Sequence, residues 1–75
     1  MSATNDRHTL SEIAEQSGWQ RRQIDRTDFY QRGRREVEVF FTADALNGGT
    51  LYEDLSLLTH TREKATVESW LTRAL

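Results

Sequence analysis

Apolar residues recur along this chain with two different periods, and the switch between them marks its elements. Leu10, Ile13 and Ala14 follow one another at helical spacing. Just before them, Thr9-Leu10-Ser11-Glu12 reads as a capping box, with the Thr9 hydroxyl accepting the Glu12 N–H and the Glu12 side chain reaching back. Gly18 supplies the left-handed residue that ends such a helix, and Trp19 is placed to fold back on Ala14. The spacing predicts a helix over residues 10–17. From Glu36 to Thr42 the period falls to two: Val37, Val39 and Phe41 alternate with Glu36 and Glu38, which marks a half-buried strand. Asn47-Gly48-Gly49 is expected to turn the chain, after which Leu51, Leu55 and Leu57 resume the alternation as a further strand. Thr61 is the expected N-cap of a last helix, with Glu63 in its first turn, Val67, Trp70, Leu71 and Ala74 as its apolar stripe, and Arg73 near its end.

Residues 1–8 show no apolar period and are expected to form a flexible arm ahead of one α+β domain over residues 9–75. A 75-residue chain has room for one core layer, since domains of this size bury only about 60% of the surface their unfolded chains expose. The expected core comprises Trp19, Phe29 or Tyr30, Val37, Val39, Phe41, Leu51, Leu55, Val67, Trp70 and Leu71.

Residues 20–35 support two readings. In the first, a strand from about Gln23 to Arg32 turns at Gly33 and pairs with Val37–Thr42. The order is then α-β-β-β-α, a three-stranded antiparallel meander with two helices on one face. In the second, Thr9–Ile24 resembles the helix-turn-helix of many bacterial repressors: Ala14 matches the small residue of the first helix, Gly18 the turn glycine, and Ile24 the apolar residue of the recognition helix. That resemblance implies a DNA-binding regulator in which Gln20, Arg21, Arg22 and Arg26 face the groove and residues 32–35 form a wing against phosphates. Trp19, bulky after the turn glycine, and the Thr27-Asp28 interruption depart from the repressor pattern.

Over nearly its full length the chain resembles small uncharacterised proteins of actinobacteria and their phages. The matching positions are Ile13-Ala14, Gly18-Trp19, Asp28, Tyr30, Arg32-Gly33, Val37, Val39, Phe41, Val67 and Trp70-Leu71. The resemblance implies an accessory protein and transfers no activity. The α-β-β-β-α order is shared with double-stranded-RNA-binding domains, but His60-Thr61-Arg62-Glu63-Lys64 stands where those carry a lysine cluster.

Charge and chemistry narrow the choice. The formal net charge is −2, yet residues 1–35 hold seven arginines against five acids, which points to an arginine-rich face. Arg32, Arg34 and Arg35 flank Gly33 as a candidate partner-binding turn. Phe40 and Phe41 are consecutive on a strand, so Phe40 points away from the core; with Tyr30 and Tyr52 it is the expected aromatic contact surface. There is no cysteine to make a disulfide or thiolate site, and the two histidines, His8 and His60, lie outside any ligand or triad spacing. Gly48-Gly49 lacks the lysine and helix of a phosphate loop. The expectation is a non-enzymatic interaction module, with no cofactor, metal or small-molecule substrate. Its expected partner is a protein or a second copy of itself, with nucleic acid the partner under the second reading. No apolar run approaches the roughly 20 residues needed to span a bilayer, and polar Met1–Arg7 lacks the apolar segment of a secretory signal, so the expected location is the cytoplasm, that of the host if the protein is phage-encoded.

Overall fold

The computed structural model describes residues 5–43 and 45–72. Helix α1 (Asp6–Gln16) leads into strands β1 (Gln20–Ile24), β2 (Thr27–Arg32), β3 (Arg35–Thr42), β4 (Ala45–Glu53) and β5 (Ser56–Thr61), and helix α2 (Lys64–Thr72) follows. All five strands form one antiparallel sheet in sequence order. The α+β class and the paired helices agree with expectation, whereas the meander has five strands rather than three.

Both added strands come from segments whose turns escape the hydropathy pattern. The expected Gln23–Arg32 strand is a hairpin, with Ile24 opposite Thr27 across an Asp25-Arg26 turn. Asp25 takes φ +53° there, a conformation that Asp tolerates better than most residues. Gly48 and Gly49 do not turn the chain; they lie inside β4, opposite Phe40 and Val39. A Cβ on Gly49 would come 2.8 Å from Val67 Cγ2 and 3.6 Å from Trp70, so glycine is what lets α2 settle on the sheet. The turn comes later, at Asp54-Leu55, which leaves Leu55 exposed at a hairpin tip instead of in the core.

Helix α1 begins four residues ahead of the expected start. Its cap is Asn5, whose side chain accepts from His8 N at 3.1 Å, and the Thr9 hydroxyl donates to the Asn5 carbonyl rather than closing a capping box with Glu12. Its far end is as expected. Gly18 sits at φ +85°, Trp19 N donates to Ala14 O (2.9 Å) and Gly18 N to Glu15 O (3.2 Å). The start of α2 is displaced from expectation: Thr61 ends β5 and its hydroxyl accepts from Glu63 N at 3.1 Å in a turn ahead of the helix, while Glu63, whose carbonyl accepts from Val67 N at 3.3 Å, takes the cap position instead of the first turn. Arg73 and Ala74 lie outside the described residues.

Val37, Val39 and Phe41 on central β3, with Tyr30 and Leu51 beside them, form the sheet side of the core. Leu10, Ala14, Val67 and Leu71 close it from the helices. Trp19 fills the end of this layer and its indole Nε1 donates to Leu71 O at 3.0 Å, joining the exit of α1 to α2.

Candidate functional site

Strand alternation sends every second residue to the face away from the helices, and the register sorts those residues into rows. Gln20, Gln31, Glu36, Tyr52 and Leu57 form one; Arg22, Phe29, Glu38, Thr50 and His60 form the next; Ile24, Thr27, Phe40 and Gly48 form a third. The helices pack on the opposite side of the sheet, through Leu10, Ala14, Val67 and Leu71. On the uncovered face Arg22 lies 5.3 Å over the Phe29 ring, a cation–π contact. The Tyr52 hydroxyl donates to Glu38 Oε1 at 3.4 Å, and its pKa is raised by partial desolvation and by the charges of Glu38 and Glu36. Glu36 has no ion pair among the described residues. Ile24, Phe40 and Leu57 remain substantially exposed.

Two expected contact aromatics are therefore on this face, Phe40 and Tyr52, and the third is not. Tyr30 is fully buried on the helix side. Its hydroxyl donates to Asp28 Oδ2 at 3.3 Å, and burial, followed by the Asp28 charge, raises its pKa far above the usual tyrosine value. Asp28 is itself 0% exposed. Its Oδ1 accepts from Arg7 Nε and Nη2 (3.1 and 2.8 Å) and its Oδ2 from Arg21 Nε at 3.3 Å. Arg7 also donates to Asp25 O at 2.9 Å and stacks 5.2 Å over Phe41. A buried carboxylate is tolerable only when paired and hydrogen-bonded in this way. The cluster fastens α1 to the β1–β2 hairpin.

The helix-turn-helix expectation fails at the residues meant to read DNA. Gln20–Ile24 is a strand, so Gln20 and Arg22 point to one face and Arg21 to the other, while Arg26 sits in the hairpin turn. The likeness to a repressor stops at Gly18, where a capped helix and its terminal glycine account for the pattern. Arg32, Arg34 and Arg35 do gather, with Trp19, Gly33 and Glu53, around an open groove of about 490 Å³. Much of their charge is already countered, by Asp54 at 3.7 Å from Arg34 and Glu53 at 3.5 Å from Arg35. Arg32 stands directly opposite Arg35 and has no ion pair among the described residues.

Sequence reasoning missed Ile24, Leu55, Leu57 and Leu58 as exposed apolar groups, and half-buried Phe29 as a member of the open face. The signal for Phe29 lay in parity, since it alternates with Tyr30, but the polar Asp28 masked which side was inward. Among the described residues no helix is long and apolar enough to cross a membrane. Comparison with known proteins found no matching family model, no matching curated protein and no matching solved structure.

Proposed function

We propose that this protein works by docking another protein chain, a partner or a second copy of itself, and performs no chemistry of its own. One observation carries the reading: among the described residues, the large apolar side chains that stay exposed are segregated to the sheet face opposite the helices and to its β5 border. Ile24, Phe40 and Leu57 lie there, with Phe29 and Tyr52 among them. Aromatic residues on an open face supply large contact area at low entropic cost. The charges favour protein over nucleic acid, because Glu36 and Glu38 on the central strand would face phosphates. The Asp28 cluster supports the same reading, since the carboxylate is fully buried and its oxygens are taken up by Arg7, Arg21 and Tyr30.

Site-specific photo-crosslinking in the native host tests this. A photoreactive residue at Phe40 or Tyr52 should give protein adducts, and one at Glu15 on the exposed side of α1 should not. Equal yields from all three positions, or adducts to nucleic acid from the sheet face, would contradict the proposal.

A further inference from the structure

The β5 border of the sheet is unlike the rest of the surface. Its six residues, Ser56–Thr61, carry no Lys, Arg, Asp, Glu or Pro. A bare edge presents unpaired N–H and C=O groups to any passing strand, and natural proteins blunt such edges with charge or proline. Here the border is apolar instead: Leu55, Leu57 and Leu58 are 91%, 61% and 51% exposed. The register passes from Leu51 opposite Thr59 to Tyr52 opposite Leu57, so Leu58 is the extra residue of a bulge and has no partner on β4. Leu55 adopts φ +70°. That left-handed conformation is unfavourable for a non-glycine residue, and it holds the Leu55 side chain out in solvent at the tip of the β4–β5 hairpin.

We infer that the β5 edge docks a second copy of this chain, whose own β5 lies antiparallel beside it. The inference deepens the docking function proposed above and rests on it. Charge complementarity selects the occupant. The neutral stretch is bounded by Asp54 before it and Arg62 after it. An antiparallel alignment centred on Leu58 sets that residue against its own equivalent and places Asp54 beside Arg62 of the second copy, while the next pair outward, Glu53 and Glu63, is eased by Arg35, which holds Glu53 at 3.5 Å. Two-fold symmetry makes the same pairing again at the other end. A parallel alignment would set like charge against like. Arg62 has no ion pair among the described residues, and Asp54 has one long, exposed contact, to Arg34 at 3.7 Å. Joining two copies through the middle of the uncovered face is disfavoured, because Glu36 and Glu38 of both would meet near the symmetry axis. The bulge at Leu58 keeps any shared ladder short, so leucine packing carries the contact and the dimer is weak.

Sedimentation equilibrium of the full chain over a wide concentration range reads this out. The expected result is a reversible monomer–dimer equilibrium that Leu58→Lys weakens by about tenfold or more, with an unchanged circular dichroism spectrum. Because the chain has no cysteine, Leu58→Cys should form an intermolecular disulfide under mild oxidation much faster than Glu15→Cys. A monomer at every concentration overturns the inference, as does a dimer indifferent to Leu58→Lys. A dimer lost in Phe40→Lys but kept in Leu58→Lys would move the second copy to the open face, overturning the edge assignment and leaving the docking function in place. A strict monomer that still gives protein adducts from Phe40 would do the same, whereas a monomer without adducts removes both.

Discussion

The sheet has two edges, and they are finished in opposite ways. Strand β1 is exposed at all five residues, yet it is charged and tied down. Arg21 reaches inward to Asp28, Arg22 lies over Phe29, and α1 packs alongside. Strand β5 is also exposed along nearly its whole length, but it is neutral and bears leucines. The first edge is sealed by interactions within the chain; the second is left open to interactions between chains. Exposure alone therefore does not locate an interface. What distinguishes the edges is whether the exposed residues already have partners.

Removing the fastening of β1 should have the largest effect. Asp28→Ala strands the Arg7 and Arg21 guanidinium groups and the Tyr30 hydroxyl without their shared acceptor. Loss of one partner from a buried ion pair costs about 3–5 kcal/mol, so urea denaturation should show a drop of that order, with hydrogen exchange rising first in the β1–β2 hairpin. On the β4 side, Gly49→Ala forces a methyl group against Val67, and overpacking of this kind costs about 1–3 kcal/mol. Its denaturation midpoint should fall without a change in slope.

A pH titration probes the same β1 fastening. The Tyr30 pKa in the folded chain is raised above the ordinary 10.0. The unfolded chain therefore loses this proton first as pH climbs, and the folded chain binds more protons than the unfolded one. Stability is unaffected below that ordinary value and declines above it, by up to about 1.4 kcal/mol per pH unit. Tyr30→Phe should remove most of this alkaline dependence, while losing about 1 kcal/mol at neutral pH with the hydrogen bond to Asp28. The smallest expected change concerns the open edge. Leu55→Gly relieves the positive φ and should stabilise the monomer by about 1 kcal/mol while weakening association. Thermal melts at low concentration and sedimentation at high concentration would separate the two effects.

The parts legible in the sequence are those where polarity tracks burial. The Val37, Val39 and Phe41 alternation marks the central strand because both neighbours of each residue face water, and Gly18-Trp19 marks the end of α1 because the backbone there needs a left-handed residue. Legibility fails where polarity and burial part company. Asp28 and Arg21 face inward because they neutralise one another, so β1 and β2 show no apolar alternation and the hairpin reads as a helix or as one strand. Gly48-Gly49 resembles a turn although its role is to make room for a helix lying above it. Tyr30 looks like an interface residue until the buried carboxylate that holds its hydroxyl is known. At the candidate site, Phe40 and Tyr52 follow from parity, whereas Leu57 and Leu58 depend on a turn at Asp54-Leu55 that contains no glycine.

The bond from Trp19 to Leu71 joins residues 52 apart in the sequence, whereas each strand pairs with the one made just before it. During synthesis the hairpins can therefore form one after another as they emerge, each from residues already available. The apolar layer stays open until α2 arrives, and the indole waits for a carbonyl 52 residues further along. A chain cut before Lys64 would keep all five strands but lose Val67 and Leu71, and the inner face of its sheet would stand bare where those side chains now close it.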